Sequence, residues 1–348
     1  MTPRILILHT GGTIGMEPSP GGLRPMPGFG ALLKRRLGET ASATPLPGCD
    51  IVELDRLIDS ANLQPAQWPA IAGELVRRWD AYDGFVVLHG TDTMAWTASA
   101  LSFMLRGLDK PVILTGAQIP LAAPRSDALE NLEMALILAA QPAIREVGLC
   151  FGRKLLRGNR SRKIATDRFD AFDSPNYPPI AEAGINIVLH GALLLGAEPR
   201  AFLQPEHFEP EAVAVLTIHP GLSPRVFEAV LASADLRGVV LRSYGVGNVP
   251  EADARLVGAI GQAVARGVTV VNTTQCVIGA VAQDTYATGA ALARIGVVSG
   301  GDMTLEAAFA KLHVLIAEGL PAEEIRARMA RPLAGEMTAP GAQFFAKT

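Results

Sequence analysis

The sequence predicts an α/β chain of two domains, each built on a mostly parallel sheet with helices packed against it. Three observations predict this class. Short apolar runs that suit strands covered on both faces recur along the chain, at residues 5–9, 85–89 and 111–115 among others. Each run ends in a small polar cluster and is followed by a stretch with helical spacing, so that strand, loop and helix recur four times in the first half. The chain has 348 residues, enough for two domains, and a proline-bearing stretch without periodicity separates two such series. The expected division is a catalytic N-terminal domain over 1–185, a linker over 186–211 and a smaller C-terminal domain over 212–348.

Composition narrows the function classes. Hydrophobic residues make up 49% and charged residues 19%, which supplies large cores and excludes a disordered chain. A net charge of -3 gives no basic field for nucleic acid or an anionic membrane. Cys49, Cys150 and Cys276 form neither a metal spacing nor a disulfide framework, and are expected as reduced, mostly buried thiols of a cytoplasmic protein. The six histidines show no paired ligand spacing, so neither metal nor cofactor is expected. The first apolar run is too short for a secretory signal, and no run reaches the ~18 residues of a membrane span.

Taken in order, the first strand runs straight into Thr10-Gly11-Gly12-Thr13-Ile14-Gly15. The glycines permit a sharp turn and a close approach of backbone to a ligand. Thr13 then stands at the carboxyl end of a strand, where open α/β sheets bind ligands; the same turn could use Thr13 only as a helix cap. Neither G-x-G-x-x-G nor G-x-x-x-x-G-K-[ST] is present, which excludes a dinucleotide or phosphate loop. Residues 16–28, with four prolines and three glycines, read as a loop: a lid or a plain connection. A helix is expected over 29–38 and an alternating strand over 50–54. Asp59 and Ser60 follow, either as ligand-side polar groups or as caps of a helix over 64–79. The strand at 85–89 leads into Gly90-Thr91-Asp92-Thr93 and a helix that Gly107 stops after Arg106. The strand at 111–115 ends in Gly116-Ala117-Gln118, and a helix over about 127–140 and a strand over 147–152 follow. Residues 154–163 carry five basic side chains without interleaved aromatics, and read as a solvated loop rather than a phosphate patch. The second series places strands near 212–218, 239–241, 268–271 and 295–298, with helices near 224–232, 253–266, 303–318 and 322–330.

Two strand-end motifs thus offer threonine hydroxyls. A hydroxyl is a poor nucleophile until a base or positive charge assists it. Asp92 adjoins Thr91, and Lys163 would join them only if the fold brings it there. The helix starting after Asp92 directs its free N–H groups and positive dipole end to the same place, favouring carboxylates and developing oxyanions. The constellation points to acyl transfer on a small anionic substrate, against the plainer reading of two capped helices.

Thr10-Gly11-Gly12-Thr13-Ile14-Gly15 and His89-Gly90-Thr91-Asp92-Thr93-Met94 resemble the two signatures of the bacterial-type L-asparaginase (asparaginase–glutaminase) family. The likeness continues through Thr115-Gly116-Ala117-Gln118-Ile119-Pro120, Arg157-Gly158-Asn159-Arg160, Leu241-Arg242-Ser243-Tyr244-Gly245-Val246-Gly247-Asn248 and Tyr286-Ala287-Thr288-Gly289, and covers nearly the whole chain. The wording is closest to the cytoplasmic type I branch. The resemblance implies a flavodoxin-like N-terminal sheet, a Rossmann-like C-terminal domain, and hydrolysis of L-asparagine by two displacements. Thr13 matches the nucleophile that forms a β-aspartyl ester, and Thr91, Asp92 and Lys163 match the assisting triad. Gly12, Asp59, Ser60 and Gly90 match substrate-binding positions, Ala117 a backbone contact, and the amides near Thr13 and Thr91 the oxyanion hole. Members act as homodimers or homotetramers, and Asn248 matches a position that completes a neighbour's site.

The sequence departs from the family at two places. Gly22-Leu23 stands where many members carry Gly-Tyr beside the nucleophile, so the phenol is expected from Tyr286 of a neighbouring copy. Arg162 stands where a small hydroxyl residue is common at an effector site, which predicts hyperbolic kinetics. The rival readings are a glutaminase or the amidotransferase subunit that supplies ammonia to a misacylated transfer RNA, and a non-catalytic amino-acid sensor. One methylene changes discrimination by only ~1–3 kcal/mol, so the sequence does not separate asparagine from glutamine.

Overall fold

The computed structural model describes residues 2–39, 45–205, 207–250, 253–283 and 287–339. The chain forms two compact units, Met1–Ser174 with Pro179–Gln204, and Pro175–Pro178 with Pro205–Thr348.

The first unit is built on eight strands: β1 Arg4–His9, β2 Gly48–Glu53, β3 Gly84–Leu88, β4 Val112–Thr115, β5 Val147–Phe151, β6 Lys154–Arg157, β7 Ala181–Ala183 and β8 Ile187–Leu189. Their order is β8-β7-β6-β5-β4-β3-β1-β2. The strands from β2 to β5 are mutually parallel, and β6, β7 and β8 add on antiparallel. Ile5 to Leu8, Phe85 to Leu88 and Val112 to Leu114 are fully buried, as continuous apolar strands must be when helices cover both faces. The covering helices are α1 Phe29–Glu39, α2 Trp68–Arg77, α3 Met94–Met104 and α4 Ala128–Ala139. After β1 the chain first pairs on one side, at β2, and then crosses to the other, at β3. That reversal opens a crevice at the carboxyl ends of β1 and β3, the ligand position of doubly wound sheets.

Five local readings change. Residues 16–25 are not an irregular loop but an exposed hairpin, in which Met16–Ser19 pairs with Gly22–Pro25. Prolines are tolerated there because a two-stranded ribbon leaves edges with no ladder to donate to. The helix expected over 64–79 is α2 alone, flanked by tight 3-10 turns at Pro65–Gln67 and Trp79–Ala81. α3 stops at Met104, because Leu105–Arg106 pairs with Ala201–Phe202. Residues 154–163 are not a solvated loop. Arg157, Asn159, Arg160 and Ser161 are buried, and Arg157 Nε donates to Glu146 at 2.6 Å, a pair also sealed from water. Charge count misled there because Arg157 and Arg160 are buried and Arg157 is paired internally. Residues 186–204, expected as linker, also hold structure: β8, and the pairing of Ala201–Phe202.

The second unit has four parallel strands in sequence order, β9 Val213–Thr217, β10 Gly238–Ser243, β11 Thr269–Thr274 and β12 Val298–Ser299. Its helices are α5 Pro224–Leu231, α6 Ala254–Ala265, α7 Ala287–Arg294, α8 Leu305–Ala317 and α9 Ala322–Met329, of which α7 was not expected. Alternation along β10 divides two cores. Val239 and Leu241 pack with Phe227 and Ile260, whereas Val240 packs with Leu312, Leu315 and Met329. The segment after α9 is tied back by a fully buried Lys311–Glu336 ion pair at 2.6 Å, with Lys311 also donating to the Met329 and Arg331 carbonyls. Cys150 is buried, Cys49 half-buried and, against expectation, Cys276 exposed. Among the described residues no helix is long and apolar enough to cross a membrane.

Candidate active site

Backbone contact joins the strand-end loops. Gly12 has φ +92°, and a Cβ there would lie 2.4 Å from the Gly90 nitrogen and 2.5 Å from its Cα. A Cβ on Gly11 would lie 2.2 Å from the Ile58 carbonyl oxygen. The Thr13 turn is therefore seated directly on the loops that follow β3 and β2, an approach only glycine permits. Ser60 is buried against Gly90, and the Thr93 hydroxyl donates to its carbonyl at 2.8 Å.

The fold also supplies the partner that sequence spacing could not. Lys163 belongs to a two-residue strand, Arg162–Lys163, that pairs with Phe172–Asp173. Its Nζ donates to Thr91 Oγ1 and to Asp92 Oδ1, both at 2.8 Å. Thr91 is buried at the entrance to α3, while the Asp92 side chain is 61% exposed. The Thr91 hydroxyl donates onward to Gln118 Oε1 at 3.4 Å. Gln118 is held in turn. Its Nε2 donates to the Thr166 and Arg168 carbonyls at 3.2 and 3.1 Å, and its amide N–H to the Asp127 carboxylate. Sequence reasoning missed Gln118; its only signal was its place at a strand end, directly after the buried Ala117.

Thr13 opens the short turn Thr13–Gly15 and is half-buried. A cavity of about 200 Å³ adjoins this turn, lined by His9, Gly12, Gly15, Leu23, Ile58 and Asp59 among others. Leu23 comes from the hairpin and is half exposed. Asp59 caps the short turn Ser60–Asn62 rather than the helix expected over 64–79: its carboxylate accepts from the Ala61 amide at 3.2 Å and the Asn62 side chain at 2.9 Å, and it borders the cavity. His89, just past β3, is fully buried and held neutral, its pKa lowered to about 4 by burial. Its Nδ1–H donates to the Gly90 carbonyl at 2.8 Å and its Nε2 accepts from Thr97 at 3.0 Å, which fixes the Gly90 loop.

Thr13, Gly12, Asp59, Ser60, Gly90, Thr91, Asp92, Ala117 and Lys163 thus all stand in the first unit, on loops at the carboxyl ends of its strands or, for Lys163, on a short strand pair beside them. Asn248 lies in the second unit, in a tight turn closed by paired hydrogen bonds with Tyr244. Tyr286 lies outside the described residues.

The family model described as "Asparaginase, N-terminal" matches residues 4–194, and that described as "Glutaminase/Asparaginase C-terminal domain" matches 212–329. The chain belongs to the asparaginase family. It is 47% identical over 337 residues to L-asparaginase 1 of Escherichia coli (strain K12), covering 96% of this chain and 98% of that one. Its fold is similar to the crystal structure of L-asparaginase I from Vibrio cholerae O1 biovar eltor, with TM-score 0.86, 46% identity, and coverage of 97% and 100%. The thermostable L-asparaginase from Thermococcus kodakarensis is similar at TM-score 0.85 and 35% identity, with coverage of 97% and 99%. In this asparaginase-family chain the loops bearing Thr13 and Thr91, which Gly12 and Gly90 bring into contact, both fall within residues 4–194 that the N-terminal family model matches.

Proposed function

We propose that this protein hydrolyses L-asparagine to L-aspartate and ammonia by two displacements through a threonine ester. Thr13 Oγ attacks the side-chain amide carbon, the C–N bond breaks, and ammonia leaves with the proton given up by the hydroxyl. Water then attacks the β-aspartyl ester, and the Thr13 hydroxyl is restored. Thr91, with Lys163 and Asp92, assists attack and activates the water. The amides at Gly12 and Gly90 stabilise the oxyanion. Asp59, Ser60 and the backbone at Ala117 hold the substrate, and Asp92 receives its α-ammonium. A second copy of the chain, in a homodimer or homotetramer, completes the site with Asn248 and with Tyr286, whose phenol relays the Thr13 proton. The protein acts in the cytoplasm.

The observation that carries this reading is the placement of Lys163 at 2.8 Å from both Thr91 and Asp92, across more than seventy residues of chain. A structural cap needs no lysine; a hydroxyl that must handle protons does. Ammonia release from L-asparagine, L-glutamine and D-asparagine, compared with Thr13→Ala, tests it. The expected result is turnover of L-asparagine that Thr13→Ala abolishes. Preference for L-glutamine would assign a glutaminase instead, and absence of any turnover would indicate a binding protein.

A further inference from the structure

His9 and His89 occupy comparable places, at and just beyond the ends of β1 and β3, and both are buried. Their surroundings differ. Both nitrogens of His89 are hydrogen-bonded within the protein. Neither nitrogen of His9 has a partner among the described residues, although the ring is only 1% exposed. A buried imidazole left this way has given up its hydrogen bonds to water without replacement, so the site is built to pair with something else.

The surroundings say what. His9 faces Glu53 across the β1–β2 register, with Nδ1 at 3.9 Å from the carboxylate, a spacing that suits a bridging water. Glu53 is itself fixed by the Gly30 amide of α1, at 3.2 Å, and the His9 ring packs on Phe29. An acceptor at Nδ1's side places the proton on Nδ1 and leaves Nε2 with its lone pair. Nε2 points at the nucleophile's turn: a Cβ on Gly15 would sit 2.6 Å from it. The cavity of about 200 Å³ touches this ring and reaches the turn on both sides of Thr13, at Gly12 and Gly15. It has volume for several waters, a water taking roughly 30 Å³ of liquid. Among the described residues Asp59 is the other titratable side chain on its lining, and both of its oxygens are already engaged.

We propose that His9, oriented by Glu53, is the proton acceptor for Thr13, reached through water held in this cavity. This rests on Thr13 being the nucleophile. As the Thr13 Oγ–carbon bond forms, the hydroxyl proton passes through water to His9 Nε2, and the Glu53 carboxylate stabilises the imidazolium. As the amide C–N bond breaks, the same proton is returned to the departing nitrogen, which leaves as ammonia. His9 ends neutral and the ester stands on Thr13. A phenol with its ordinary pKa near 10 is protonated at neutral pH, so a tyrosine can relay this proton but needs a net acceptor to pass it to. Burial lowers the His9 pKa to about 4. The ring is therefore empty at neutral pH, and a base this weak releases the proton again readily to nascent ammonia.

The test compares wild type, His9→Phe, His9→Ala and Thr13→Ala, each as the full chain, by ammonia release from L-asparagine. His9→Phe keeps a buried aromatic ring, though a larger one, and removes both orphaned nitrogens; its thermal midpoint is read first to show that the variant is folded. Its kcat is expected to drop 10²–10⁴-fold, the range of general acid–base catalysis, with KM within about threefold. Imidazole added to His9→Ala should restore part of the lost rate, whereas pyrrole, of the same shape without a basic nitrogen, should not. A folded His9→Phe with kcat within about threefold of wild type would overturn the assignment. So would equal rescue by pyrrole, or no rescue by imidazole of a folded His9→Ala. Full activity in Thr13→Ala is a separate outcome, and would remove the nucleophile itself.

Discussion

The contact between Gly12 and Gly90 makes a sharp prediction for Gly12→Ala. The added Cβ would sit 2.4 Å from the Gly90 nitrogen, where ordinary contact begins at 3.4 Å. Relief requires the difference, 3.4 less 2.4, or about 1 Å of separation between the two threonine loops. Displacements of that size at a reacting centre cost about 10²-fold in rate. The backbone at φ +92° adds strain for any side chain, of order 1–3 kcal/mol. Gly12→Ala should therefore lose about 10²-fold in kcat/KM, with a smaller loss of stability. Gly73→Ala is the control: it lies in α2, a Cβ there meets open space, and the change should stabilise by ~0.5–1 kcal/mol with normal turnover. Steady-state ammonia release together with urea unfolding reads both quantities. Unaltered kcat/KM in Gly12→Ala would show that the loops need not touch for catalysis.

Lys163→Met removes both 2.8 Å contacts, and kcat should fall about 10²–10⁴-fold while the circular dichroism spectrum is unchanged; a fall of less than tenfold would contradict its role. His9, His89 and His313 are each lowered by burial from 6.5 to about 4, so the unfolded chain binds these protons first as pH falls. Their contribution is complete above pH 6.5 and is lost toward pH 4, at up to ~3 kcal/mol for each; urea midpoints that stay level between pH 7 and 4.5 would refute it. Glu336→Gln leaves Lys311 buried and uncompensated, and should cost about 3–5 kcal/mol, whereas replacing both partners with apolar residues should cost far less. Calorimetry of the single and double variants separates the two.

Much of this was legible in the sequence, because buried parallel strands are continuous apolar runs. Residues 5–9, 85–89 and 111–115 mark β1, β3 and β4 for that reason. The polar clusters at their ends mark the crevice. What the sequence withheld depends on long-range pairing. Lys163 reaches Thr91 only through the short strand pair with Phe172–Asp173, which has no periodicity to read. Arg157 and Arg160 look solvated until Glu146 and the folding of β6 bury them. The hairpin at 16–25 was hidden by prolines, which weaken strand signals yet are tolerated at edges. His9 shows the same limit from the other side. It reads as the last residue of a buried strand, and only the register with Glu53 and the space over Gly15 distinguish it from His89.

The central claim is that a covalent ester forms on Thr13. Acid-quenched reactions with L-asparagine, digested and mapped by mass spectrometry, test it most directly. The prediction is an aspartyl adduct on the peptide bearing Thr13, present during turnover and absent in Thr13→Ala. An adduct on Thr91 instead, or undiminished turnover in Thr13→Ala, would contradict it.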